Sequence, residues 1–317
     1  MSKQLDRREF LKRSLAGSAA GALALSFEEK ALLAQAGKQP VVAPAAPAGD
    51  MPMGRIGKLN VTRLIVGGNL TSGFAHSRDL IYVSGLLMQY FTDEKVFETW
   101  ELCEQCGINT AILRLDDHVI GLITKYWNER GGKLQWIAQV QITPETLDEI
   151  KKAVDHGAGA VYIHGGVCDR FIDEKRIDLL AKAVRLAKDL RVPAGIAGHK
   201  VEVPIACEQA GVDPDFYMKT LHHRNYWSAN RQPEHDNIWC LEPEKAIEFM
   251  RGVKKPWIAY KVMAAGAIHP QEGFQYAFEN GADFICAGMF DFQVREDAII
   301  ARNVLAATTT RQRPWTA

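Results

Sequence analysis

The chain has 317 residues, 47% of them hydrophobic, with 38 Lys and Arg against 38 Asp and Glu. That globular balance, with ample chain to bury a core, excludes collagenous, low-complexity and disulfide-scaffold architectures. A net charge of zero gives no electrostatic footprint for nucleic acid, so none is expected as a partner.

Arg7-Arg8-Glu9-Phe10-Leu11-Lys12 precede a mildly hydrophobic run from Ser14 to Phe27, the pattern of a twin-arginine export signal. The run is too short and too rich in small residues to be a stable membrane anchor. Ala34-Gln35-Ala36 offers a cleavage site. Residues 1–36 are therefore expected to be a signal peptide, and the proline- and alanine-rich residues 37–53 a flexible linker. The folded body is expected over 54–310. A periplasmic or extracellular location follows, with the twin-arginine export machinery as a partner. Cys103 and Cys106 form a C-x-x-C near a helix end; without a second pair or a nearby His, they read as core residues.

From residue 60 onward, strand and helix alternate. Apolar runs at 64–69, 109–116, 134–141, 159–164, 193–199, 216–222, 256–264 and 284–291 predict eight strands. Amphipathic stretches between them, including 93–106, 144–156, 173–190 and 243–253, predict helices. Gly107, Gly132, Gly157, Gly211 and Gly281 stand where helices should stop. Eight βα units over this length predict an α/β fold, a single-domain (β/α)8 TIM barrel whose strands are apolar on both faces.

Such barrels carry their sites at the C-terminal ends of the strands. Side-chain alternation then predicts a mouth lined by Asn69, Arg114, Asp116, Gln139, Gln141, Tyr162, His164, His199, Lys219, His222, Lys261 and Asp291. Two chemistries fit. Inward His164, His199 and one of His222 or His223, completed by Asp291 or Asp116, suit a divalent metal such as zinc, iron or manganese. In that reading Asp116 and His164 also serve catalysis, and Lys219, Lys261 and Arg114 hold substrate oxygens. Alternatively, Lys219 and Lys261 facing inward together depress each other's pKa, and Lys219 becomes a Schiff-base nucleophile. The aromatic loop from His222 to Cys240, with His223, Tyr226 and Trp227, suits a lid over a polar ring such as a sugar. Gly67-Gly68 and Gly165-Gly166 lack the dinucleotide fingerprint, so no nucleotide-binding residues are assigned.

Gly54 through Asn69 resemble the opening hairpin and first strand of aldo-keto reductases, and Ala160-Val161-Tyr162-Ile163-His164 is similar to that family's fourth strand with its active-site histidine. Asp116 or Asp117 stands where the family keeps an aspartate. The resemblance implies a barrel with a hairpin plugging its floor, and NAD(P)H-dependent reduction as one possible activity. Yet Asp117, His118, Val119 and Ile120 occupy the stretch where the family's tyrosine belongs, Tyr126 falls in a helix, and Gln139 or Gln141 replaces its lysine. Phe290-Asp291-Phe292-Gln293-Val294 has no basic nucleotide-phosphate loop. Met218-Lys219-Thr220 and Lys261 through Gly266 loosely resemble the paired-lysine strands of deoxyribose-phosphate-aldolase-type barrels. The expectation is an exported enzyme acting on a small polar carbonyl or sugar-like substrate by metal-assisted isomerase, lyase or hydrolase chemistry. An aldo-keto-reductase-like oxidoreductase, a Schiff-base aldolase and a non-catalytic small-molecule binder are the alternatives.

Overall fold

A computed structural model describes residues 50–74, 80–229 and 239–317. The expected signal peptide and most of the expected linker lie outside the described residues. Among the described residues, no helix is long and apolar enough to cross a membrane.

The described chain opens with an antiparallel hairpin, β1 (Met53–Ile56) and β2 (Leu59–Thr62). Eight parallel strands follow: β3 (Leu64–Gly67), β4 (Thr110–Arg114), β5 (Gln135–Val140), β6 (Ala160–Ile163), β7 (Ala194–Gly198), β8 (Phe216–Thr220), β9 (Trp257–Tyr260) and β10 (Phe284–Ala287). They pair in chain order, and β10 closes onto β3 with Ile285 beside Leu64. The helices are α1 (Val83–Tyr90), α2 (Asp93–Gln105), α3 (Asp117–Glu129), α4 (Asp148–Asp155), α5 (Gly165–Asp173), α6 (Ile177–Asp189), α7 (Glu202–Gln209), α8 (Pro243–Gly252), α9 (Pro270–Glu279) and α10 (Asp291–Ala307). The fold is the (β/α)8 barrel expected from the sequence.

Alternation along each strand divides the apolar side chains into two layers. Ile65, Ile112, Ile137, Tyr162, Ala197, Phe216, Met218, Ile258, Phe284 and Cys286 fill the barrel interior. Val66, Leu113, Ala138, Val161, Ile196, Tyr217, Trp257, Ala259 and Ile285 belong to the larger core shared with the helices. Burying an aliphatic side chain of this size contributes about 1.5–3 kcal/mol, so both layers stabilise the closed sheet. Cys103 and Cys106 are buried in the outer core, as expected.

The hairpin closes the floor: Ile56 and Val61 are fully buried and join the interior layer. Beside them, buried Asp283 accepts from the Trp257 N–H (2.9 Å), the Arg313 guanidinium (2.6 Å) and the Thr316 hydroxyl (2.7 Å). Met51 is buried in the core, and residues 311–317 bind the floor.

Two local expectations are corrected. The predicted helix 173–190 is the shorter α6; Asp173 instead ends α5, a helix not predicted, and Lys175 with φ of 57° separates the two. Gly131, not Gly132, takes the left-handed conformation after α3; a Cβ on Gly132 would instead strike the Tyr126 ring.

Candidate active site

The interior layer ends at the C-terminal rim in polar groups, as the phase of each strand dictates. On β6 the inward Tyr162 is followed in phase by His164, the first residue beyond the strand. On β7 the inward Ala197 is followed by His199. Arg114 ends β4, Gln139 lies on β5 and accepts from the Tyr162 hydroxyl (2.8 Å), and Tyr260 ends β9.

Helix α5 starts immediately after His164 and brings an acid back to the rim. Asp169 accepts from His199 Nδ1 at 2.7 Å, and from the backbone N–H groups of His199 and Lys200 at 3.1 Å each. These bonds fix the tautomer with the proton on Nδ1 and leave Nε2 as the basic nitrogen. Close approach of α5 depends on Gly165: a Cβ there would stand 2.7 Å from Tyr260 Oη and 3.1 Å from His199 Cε1. The His199 ring also packs on Trp239 (centroids 4.9 Å apart) and Tyr260 (5.7 Å).

Lys261 reaches the same place by an unusual backbone. It follows β9 with φ of 58°, a conformation few non-glycine residues adopt. Its Nζ lies over the Trp239 ring, 3.9 Å from the centroid. Burial lowers the His199 pKa, opposed by the Asp169 hydrogen bond and charge, with Lys261 lowering it further. Burial, then the positive fields of His199 and Lys261, take His164 down to about 4. Both imidazoles are therefore neutral at pH 7, and one has a carboxylate fixing its orientation. This is the arrangement of a general base.

Other predicted residues fall elsewhere. His222 is fully buried; its Nδ1 donates to the His223 carbonyl (2.9 Å) while Nε2 accepts from the N–H groups of Trp239 (3.1 Å) and Cys240 (2.9 Å). Both nitrogens are committed to backbone, so the expectation that His222 binds metal is corrected. Asp291 is the first residue of α10, bound by the Tyr90 hydroxyl (2.5 Å) and Lys95 Nζ (3.0 Å), and is not gathered with the histidines. Among the described residues, no group of three or more His, Cys, Asp or Glu side chains is placed to hold a metal. The predicted set of His164, His199, His222 and Asp291 does not fit a metal centre.

Lys219 is also corrected. Its phase is that of Tyr217, on the helix side of β8, and it is only 2% exposed. Its Nζ donates to the Thr220 carbonyl (2.9 Å) and hydroxyl (2.7 Å). The two lysines therefore do not face the mouth together. Asp116 caps α3 by accepting from the Val119 N–H (2.8 Å) and lies 3.1 Å from Arg114 Nε. His223 packs on Tyr276 of α9 and stands 3.1 Å from Glu272. Asn69 and Gln141 are exposed, and Tyr226 and Trp227 stand in the loop after β8, whose residues 230–238 lie outside the described set.

Asp169, Tyr260 and the ring contacts of Trp239 were not assigned from sequence. A signal existed for Asp169, the sole acid between Gly157 and Ile172 and five residues beyond a strand-terminal histidine.

No protein-family model matches this sequence, and no curated protein matches it. Solved structures do resemble it. A provisionally described aldo-keto reductase from Pseudomonas aeruginosa superposes with a TM-score of 0.57 at 15% identity, covering 83% of this chain and 99% of its own. A truncated 3-deoxy-D-arabino-heptulosonate 7-phosphate synthase from Thermotoga maritima gives 0.50 at 13% identity, covering 81% and 93%. At such identities the likeness is one of fold: a closed barrel of eight parallel strands shared with several TIM-barrel enzymes.

Proposed function

We propose that the chain is an exported enzyme that moves a proton on a small polar carbonyl or sugar-like substrate at the barrel mouth, an isomerase or lyase chemistry. The observation that carries this reading is the 2.7 Å bond between His199 Nδ1 and Asp169 at the rim of a closed barrel. His199 Nε2 takes the proton from the carbon beside the carbonyl. The Lys261 ammonium stabilises the oxyanion that develops, and neutral His164 relays a proton back. No step is assigned to a metal, because the histidines are not arranged as a ligand set. The twin-arginine pattern at Arg7-Arg8 supports export, and the barrel's resemblance to aldo-keto reductases supports a carbonyl substrate without supplying that family's tyrosine and lysine.

The test is solvent deuterium exchange into a panel of small hydroxyaldehydes and hydroxyketones, followed by NMR. Wild-type protein should catalyse exchange at the carbon next to the carbonyl, and His199→Ala should lower the rate about 10²–10⁴-fold. Oxidation of NADPH by the same panel without any exchange would replace this reading with a reductase.

A further inference from the structure

We infer that the substrate carries an oxyanion, a carboxylate or a phosphate, seated on the N-terminus of α5 and flanked by Arg114 and Lys261. This deepens the reading of the mouth as an active site and rests on it.

The first turn of α5 is built without a cap. His164 precedes it and provides no side-chain hydrogen bond, and the turn contains no acidic residue. The N–H groups of Val167 and Cys168 both go to the His164 carbonyl, at 3.0 and 3.1 Å. Those of Gly165 and Gly166 meet no acceptor among the described residues. Gly166 is exposed and leaves its backbone N–H open to close approach at the positive end of the helix dipole, while Gly165 is buried beside Tyr260.

A second observation points to the same spot. The Tyr260 hydroxyl is buried without a hydrogen-bond partner among the described residues, and it is directed at Gly165. A buried hydroxyl left unpaired is unfavourable, and a ligand oxygen over the α5 N-terminus would accept from it.

The surrounding charge has the matching sign. Arg114 stacks on Phe74, 4.6 Å from its centroid, and turns Nε toward Asp116. Its two terminal nitrogens make no hydrogen bond among the described residues, which leaves the fork that grips a carboxylate or phosphate. Arg114 and Lys261 both lie near enough to His164 to act on its imidazole. Among the described residues, Asp169 on this rim is engaged by His199 and backbone, and Asp116 by α3 and Arg114. A neutral polyol would bring no charge to the N-terminus of α5 or to the terminal nitrogens of Arg114.

Binding can be read by calorimetry on the full chain at low ionic strength, with inorganic phosphate, glycolate and, as the neutral analogue of glycolate, ethylene glycol. Saturable binding of phosphate or glycolate is expected, weakened at least tenfold by Arg114→Gln and weakened again by added salt. Phosphate alone assigns a phosphorylated substrate; glycolate alone assigns a carboxylic acid. Gly166→Pro removes one backbone donor at a position where the first turn accepts proline, and provides a second test if Arg114→Gln fails to fold. Binding of neither anion to folded wild-type protein, binding unchanged in both variants, or ethylene glycol binding as tightly as glycolate would overturn the inference. The two readings fail separately: anion binding retained by His199→Ala supports the anion site whatever the exchange assay gives.

Discussion

Replacing Asp169 by Asn tests the base assignment with almost no change in volume. The carboxylate now accepts three hydrogen bonds, from His199 Nδ1 and from the N–H groups of His199 and Lys200. An amide cannot serve all three. With its oxygen on the two backbone donors, its NH2 faces Nδ1, which must then become an acceptor. The opposite orientation keeps the ring bond and sets NH2 against two backbone N–H groups. Two bonds outweigh one, so the imidazole proton moves to Nε2 and the basic nitrogen disappears. Loss of the charge-assisted bond costs about 1.5–3 kcal/mol of stability, while the exchange rate should fall about 10²–10⁴-fold. The pH profile provides the discriminating readout. A base must be neutral, so activity falls as pH drops through the His199 pKa. Asp169 raises that pKa against the stronger effect of burial, so any residual activity of Asp169→Asn should show its acid limb at lower pH. Residual exchange within about threefold of wild type, with the acid limb unmoved, would refute the assignment.

Two further predictions concern stability. Burial holds His222 down to about 4, below its unfolded value. The unfolded chain therefore binds the proton first, and folding stability falls as pH drops from about 6.5 towards 4, by about 1.4 kcal/mol per pH unit from this residue. Urea denaturation of His222→Phe should show a lower stability at pH 7.5 and a shallower decline below pH 6.5; an unchanged slope would count against the burial. Arg313→Ala removes the nearer cation from Asp283 at the barrel floor, leaving Arg311 at 3.9 Å, which should cost about 3 kcal/mol. A thermal midpoint within a degree or two of wild type would show that Arg311 or Thr316 takes over.

The barrel was legible because its signals repeat: eight apolar runs, glycines at helix ends and a consistent helix spacing. The histidines on β6 and β7 were legible for a related reason, since small or interior residues precede them in phase. Lys219 was misplaced because Phe216-Tyr217-Met218 is apolar on both faces and carries no phase of its own. Register decides it: Lys219 pairs with Ala259 and Thr220 with Tyr260. Asp291 was misplaced by extending alternation past Ala287, where β10 ends and the chain turns into α10. Asp169 escaped because Gly165-Gly166 reads as a break, whereas α5 begins there for lack of Cβ atoms against Tyr260 and His199.

The bonds of His222 have a consequence for the segment they enclose. One imidazole joins the end of β8 to residues 239 and 240, so both feet of the intervening excursion are fixed to the barrel by a single ring. Both feet therefore depend on a neutral histidine: a proton on Nε2 would take away the one acceptor that the N–H groups of Trp239 and Cys240 share.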